Sequence, residues 1–218
     1  MPDNSLITSG PGRPKDLAKR QAILDAAKNL FVSKGYAGTS MDAVAAAAGV
    51  SKLTVYSHFT DKETLFSAAV IARCEEQLPE LFFEMPVGTP VETVLTTIGR
   101  GFHALINSPD SIELHRLMTA LGAQDPKMSL IFFEAGPERI LQEMERLLVQ
   151  INSNGSLVID KPRIAAEHFL CLLKGTCNFR LLIGCDDSPD PVADEQHVKE
   201  VVNLFMRAYR PNQEKQNL

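Results

Sequence analysis

The chain has no tryptophan, only 6 % aromatic residues and four cysteines in 218 positions. The cysteines, Cys74, Cys171, Cys177 and Cys185, form no C-x-x-C pair, and no histidine stands at zinc-finger distance from them, which excludes a structural zinc site. They are expected to be free and buried as small hydrophobes in a helical core, with redox sensing or a disulfide as the alternative. No stretch approaches the roughly 20 apolar residues that span a bilayer, and no basic-then-apolar leader opens the chain. The expectation is a cytoplasmic protein with no membrane partner. Catalytic signatures are missing too: there is no G-x-S-x-G, H-E-x-x-H, P-loop or G-x-G-x-x-G. His58, His103, His115, His168 and His197 are scattered, with no pair at metal-ligand spacing on one helix. The chain therefore reads as a non-enzyme without cofactor or metal. Strand-like alternation is nearly absent, which points to an all-α fold.

A net charge of −5 argues against a protein that coats nucleic acid indiscriminately. The distribution is uneven, however. Residues 1–62 hold eight Lys/Arg (Arg13, Lys15, Lys19, Arg20, Lys28, Lys34, Lys52, Lys62) against five Asp/Glu, whereas the remainder holds 14 against 22. A basic N-terminal third on an acidic body is expected when only one end meets phosphate. At 218 residues and 44 % hydrophobic content the chain can bury a useful core in one or two domains.

Residues 1–12 are polar and rich in Gly, Pro and Ser, and are expected to form a disordered arm. A first helix is expected from about Lys15 to Lys34, with Ile23, Ala26, Ala27, Leu30 and Phe31 on one stripe and Gly35 as its stop. Thr39-x-x-Asp42 resembles a capping box opening a short second helix, ended by Gly49. Ser51 is a good N-cap for a third, reaching about Phe59. Thr60-x-x-Glu63 reads as another capping box opening a fourth. After a break near Pro79 and Met85–Gly88, starts are marked by Thr89-Pro90, Ser108-Pro109, Asp125-Pro126, Gly136-Pro137 and Asp160/Pro162, and a last helix follows the linker at 185–191. The total is nine or ten helices. The expected domains are the arm at 1–12, a helix-turn-helix DNA-binding domain at 13–62 and a helical regulatory and dimerisation domain at 63–218.

Function concentrates between Thr39 and Lys62. Two short helices flank the turn Ala48-Gly49-Val50-Ser51, the spacing of a helix-turn-helix. Val55 and Phe59, at i and i+4, would anchor the second of them to the first helix of the chain. That leaves a face of Lys52, Leu53, Thr54, Tyr56, Ser57 and His58, the mixture of donors, a cation and an apolar group that a major groove accepts. Leu53 either touches a thymine methyl or packs.

Residues 20–66, from Arg-Gln-Ala-Ile-Leu-Asp-Ala-Ala-Lys-Asn-Leu-Phe through Gly-Val-Ser-Lys-Leu-Thr-Val-Tyr-Ser-His-Phe-Thr-Asp-Lys-Glu-Thr-Leu-Phe, resemble the N-terminal domain of tetracycline-repressor (TetR/AcrR) family regulators. Glu134-Ala-Gly-Pro-Glu-Arg139 and Leu172-Leu-Lys-Gly175 resemble, more loosely, an AefR-like C-terminal domain. The resemblance implies that Lys52, Leu53 and Tyr56 reach bases or adjacent backbone. It implies phosphate contacts from Thr39, Ser40, Thr54, Tyr56, His58 and Lys62. Ser57 is smaller than the residue often found at its position. Gly12-Arg13-Pro14-Lys15 resembles a short Arg-Pro element that enters narrow minor grooves; the alternative for Arg13 and Lys15 is a solvated tail.

A double-stranded palindromic operator and a homodimer are implied as partners. The 162–184 segment is apolar on more than one side, so it can serve its own core and a second copy. The expected dimer interface takes Leu172, Phe179 and Leu182 from it and Val201, Phe205 and Tyr209 from the last helix. The resemblance also implies a small-molecule pocket among the middle helices. Its candidate lining is Phe66, Val70, Phe102, His103, Leu117, Met118, Leu121, Phe133, Met144, Phe169 and Leu173; ordinary core is the alternative for each. A fourth helix tied at Lys62 to DNA and at Phe66 and Val70 to the pocket would act as a lever. The expected function is a repressor released by a small apolar ligand, the alternative being a DNA-bound protein whose C-terminal domain binds another protein.

Overall fold

The computed structural model describes residues 13–77, 83–123, 125–185 and 190–211, without the side chains of 13–16, Cys74 and Gln77. The arm at 1–12 and the side chains of Arg13 and Lys15 thus lie outside the described residues. Ten helices and no strand occur among the described residues: α1 (Arg13–Gly38), α2 (Met41–Ala47), α3 (Lys52–His58), α4 (Lys62–Gln77), α5 (Val91–Asn107), α6 (Pro109–Gly122), α7 (Pro126–Ala135), α8 (Pro137–Ser153), α9 (Pro162–Ile183) and α10 (Pro191–Tyr209). The all-α architecture is as expected.

The starts show which polar residues cap. Ser108, Asp125 and Asp190 each accept a hydrogen bond from backbone N–H groups of the helix that follows. Elsewhere the expected cap shifts by one residue. Ser40, not Thr39, caps α2 by accepting from the Ala43 N–H, because the Thr39 hydroxyl faces inward. Asp61, not Thr60, accepts from the Thr64 N–H at 2.7 Å. Pro90 itself precedes the first turn of α5, and no side chain caps there.

The chain divides into two compact units, the first ending at Ala72 and the second beginning at Arg73. In the first, α1 turns Ile23, Ala27 and Phe31 inward, where they join Val44, Ala45, Val55, Phe59, Leu65 and Phe66 in the buried core. The helix geometry of α1 breaks at Gly35, and Tyr36 stacks back against Phe31 with ring centroids 6.0 Å apart. Phe66 meets both rings edge-on, at 4.9 Å from Phe31 and 5.1 Å from Tyr36.

In the second unit α5, α8, α9 and α10 surround one apolar core that includes Phe102, Met144, Leu147, Leu148, Phe169, Leu173, Val201, Val202 and Phe205. α9 is not one regular helix. Gly175 sits at φ 56°, ψ −169°, a conformation that a side chain would strain. Next to this break, His197 Nε2 from α10 lies 3.0 and 3.2 Å from the carbonyl oxygens of Leu172 and Leu173. His197 also fills the space that a Gly175 side chain would need, 3.0 Å from the position of its Cβ.

Several sequence expectations are corrected here. Val201 and Phe205 are core residues rather than interface residues, because their stripe on α10 packs inward onto α5 and α9. Tyr209 is half-buried against Phe205, ring centroids 4.7 Å apart, and Leu182 is half-buried on α9. Leu172 and Phe179 do face outward, Phe179 at 62 % exposure, together with Ile183 on α9 and Leu204 on α10. Cys171, Cys177 and Cys185 are exposed, not core. Among the described residues no helix is long and apolar enough to cross a membrane.

Candidate nucleic-acid interface and cavity

α2 and α3 are joined by the turn expected from the sequence. Gly49 takes φ 65°, its N–H donates to Ala46 O, and the Val50 N–H donates to Ala45 O at 3.0 Å. Ser51 then caps α3 by accepting from the Thr54 N–H at 3.1 Å. Val55 and Phe59 are buried, and the Arg20 guanidinium lies 5.3 Å from the Phe59 ring centroid. α3 is therefore locked by one face against the rest of the unit.

The opposite face is open. Leu53 is 80 % exposed and Tyr56 43 %. Lys52 is exposed and pairs with Asp42 of α2 at 2.8 Å, and this hydrogen-bonded carboxylate holds its ammonium above the ordinary lysine range. The ammonium also lies 6.0 Å from the Tyr56 ring centroid. Ser57 Oγ donates to Thr54 O at 2.7 Å, and Thr54 Oγ1 shares a hydrogen bond with Ser51 Oγ. His58 is half-buried in the last turn, with its ring tilted against Phe59. Ser40 remains at the surface at the start of α2.

Two expected site residues are placed differently. Thr39 is only 2 % exposed, and its hydroxyl is directed at the carbonyls of Gly35 and Leu30, at 2.9 and 3.1 Å. It closes the end of α1 and is not available to a phosphate. Lys62 is half-buried; its ammonium donates to Tyr36 O at 3.0 Å and lies 4.4 Å from the Tyr36 ring centroid. It ties the start of α4 to the end of α1, leaving part of a three-donor group for any other acceptor.

The second unit contains a cavity of about 210 Å³ bounded by α5, α6, α7, α8 and α9. Of the expected lining only Phe102 and Phe133 are among its walls; Leu105, Ile106, Leu114, Phe132, Ile140, Leu141 and Leu170 supply most of the rest. Met144, Phe169 and Leu173 are fully buried core instead, and Met118 is likewise buried. Leu117 and Leu121 are half-buried on α6 but are not among the walls. Phe66 and Val70 lie in the first unit, are buried, and are not among the walls.

His103 is neither cavity group nor surface. It is 5 % exposed, hydrogen-bonds Asn107, and lies 3.8 Å from Asp194 and 5.7 Å (ring centroids) from His197. Burial pushes its imidazole below the ordinary value, the Asp194 carboxylate acting against this. The polar groups that do border the cavity, Ser111, His115, Cys171, Glu167 and Lys174, were missed. The available signal was the i, i+4 pair Ser111 and His115, which a helix places on one face.

Residues 23–69 match the family model of bacterial regulatory proteins of the tetR family, and residues 93–211 that of the AefR-like transcriptional repressor C-terminal domain. The HTH-type transcriptional regulator YdeS of Bacillus subtilis is 27 % identical over 209 residues, 94 % of each chain. SrpR of Pseudomonas putida is 28 % identical over 142 residues, 65 % of this chain and 64 % of that one. A tetR-family regulator from Mesorhizobium loti superposes with a TM-score of 0.81 at 29 % identity, covering 91 % of this chain and all of the other. The flavonoid-responsive regulator FrrA superposes with a TM-score of 0.80 at 29 % identity, covering 89 % of this chain and 98 % of that one. With an α2–turn–α3 unit at one end and matches that extend over most of its length, the chain belongs to the tetR family of DNA-binding transcriptional regulators.

Proposed function

We propose that the chain works as a homodimeric repressor, holding a palindromic operator through α3 and releasing it when a small, mostly apolar molecule occupies the cavity. The observation that carries this reading is the two-sidedness of α3. Val55 and Phe59 fix it while Lys52, Leu53 and Tyr56 stand outward, as in a recognition helix entered into a major groove. Ser40, Thr54, Ser57 and His58 flank that face as backbone or base contacts, and Arg13 and Lys15 at the start of α1 add minor-groove or phosphate contact. The cavity supports sensing of a small molecule over recognition of a protein by the second unit, since a filled core would favour the latter. The similarity to FrrA, a regulator responsive to flavonoids, points the same way.

Release requires the ligand to bind the DNA-incompetent conformer better than the competent one. Inducer and operator must then weaken each other's binding by the same factor, which paired titrations measure. Selection of fragments from genomic DNA by the purified chain tests the reading: a shared palindrome supports it, and recovery without sequence preference contradicts it.

Two substitutions follow from this reading. Lys62→Ala is expected to weaken binding to all DNA sequences and to flatten the log–log salt dependence by about one unit. Because Lys62 also clamps Tyr36, the variant melts earlier as well. Phe179→Asp, in the exposed apolar strip of α9, is expected to convert a dimeric mass to a monomeric one by light scattering at micromolar concentration. A wild type that is monomeric at that concentration contradicts the dimer.

A further inference from the structure

One polar side chain at the cavity has its orientation fixed by both a hydrogen bond and a ring contact. His115, on α6, borders the cavity, and its Nδ1 lies 2.8 Å from the carbonyl oxygen of Ser111, one turn earlier on the same helix. A carbonyl oxygen only accepts, so Nδ1 carries the proton. The ring is held edge-on against Phe132 of α7, centroids 5.2 Å apart at 87°. Burial pushes the imidazole below its ordinary value; the Ser111 hydrogen bond opposes that, and the Lys174 charge on α9 adds to it. The side chain is therefore neutral at pH 7, and a neutral ring protonated on Nδ1 presents a lone pair on Nε2.

Nε2 has no hydrogen-bond partner among the described residues, yet no sealed side-chain nitrogen or oxygen among them lacks one. The atom is therefore not sealed, and the ring that carries it lines the cavity. The two charged groups at the wall do not compete for the same role. Glu167 lies 3.5 Å from Arg163, and Lys174 is exposed on α9. Ser111, whose hydroxyl accepts from Ser108 Oγ, and Cys171 also border the cavity. The other walls are mostly apolar, with three phenylalanines, Phe102, Phe132 and Phe133. A cavity of about 150 Å³ is enough to hold benzene, so about 210 Å³ admits a substituted ring.

We infer that the cavity selects an apolar aromatic compound bearing a hydroxyl donor, a phenol, whose O–H donates to His115 Nε2. This rests on the cavity being the effector site. A ring carboxylate would set lone pair against lone pair at Nε2, and a plain hydrocarbon would leave that atom unpaired on losing its water.

The test is calorimetric titration of the full chain at pH 7.5 with 4-ethylphenol and with 4-ethyltoluene, which replaces the hydroxyl by a methyl of similar size. Wild type is expected to bind the phenol more tightly although the hydrocarbon transfers more readily from water. His115→Phe is expected to lower the phenol-to-hydrocarbon affinity ratio by about tenfold, the worth of one hydrogen bond. His115→Gln, which keeps an acceptor oxygen, retains part of the preference. A wild type that favours 4-ethyltoluene, or a ratio unchanged in His115→Phe, overturns the inference while leaving the cavity a ligand site. Binding of neither compound by wild type overturns the sensing reading and the inference together. Should His115→Phe bind neither, His115→Gln decides: a retained preference supports the inference, and a lost one overturns it.

Discussion

Phe66→Ala is expected to destabilise the first unit by about 3–5 kcal/mol, the range for emptying a buried aromatic position. The ring is 1 % exposed and is the meeting point of the edge-on contacts from Phe31 and Tyr36. The same small cluster sets the site's geometry. Tyr36 takes the Lys62 ammonium through its carbonyl and its ring, and Thr39 closes the α1 end one turn later. Emptying the centre loosens the end of α1 and the start of α4 together, between which α2 and α3 are held. Urea unfolding followed by circular dichroism, with hydrogen exchange over residues 23–69, reads the effect. Exchange protection in that segment should collapse well before that of the Met144 and Phe169 core. Unchanged protection at 23–69 would show that the cluster does not hold the unit.

Tyr56→Ala and Lys52→Ala should do the opposite, leaving stability intact and removing DNA affinity. Neither side chain supports packing, since Val55 and Phe59 carry the buried face of α3. Loss of Tyr56 is expected to cost about 1–3 kcal/mol at the operator, the range for a specific groove contact. Lys52→Ala is expected to weaken binding to operator and non-operator DNA more evenly and to reduce the salt slope by about one unit. In the free chain the Lys52 ammonium is held by Asp42 across the two helices, so DNA binding exchanges one anion for another. That pair is exposed, and such pairs add little to stability, which is why the substitution separates affinity from folding. A change in melting temperature as large as the change in binding would assign these residues to the core instead.

The half of the molecule that was legible in the sequence is the half built from local rules. Gly49, Ser51, Val55 and Phe59 lie within eleven positions, and spacing alone places a turn, a cap and a buried face. Caps were readable to within one residue; Thr39 misled because its hydroxyl turned inward to the α1 carbonyls, and no local pattern reveals which of two adjacent hydroxyl residues does so. The second unit was legible only as a set of helices. An apolar stripe states that a face is covered but not by what, so Val201 and Phe205 read as an interface when they are core. The cavity depends on the meeting of five helices distant in sequence, and its walls are residues such as Leu105, Ile140 and Leu170 that periodicity cannot distinguish from filled core. His103 and His115 differ in the same way. One lies in a buried polar cluster with Asn107 and Asp194 and the other at the cavity wall, an assignment made by packing rather than by spacing.

The role of α3 as the element that reads DNA can be tested directly. The measurement is selection from a random double-stranded library by wild type and by a Lys52→Ala/Tyr56→Ala double variant, with both chains shown to be folded. Wild type is expected to enrich a palindromic sequence, and the double variant to lose that enrichment while keeping its melting temperature. Enrichment of the same sequence by both chains, with equal affinity, would contradict that role.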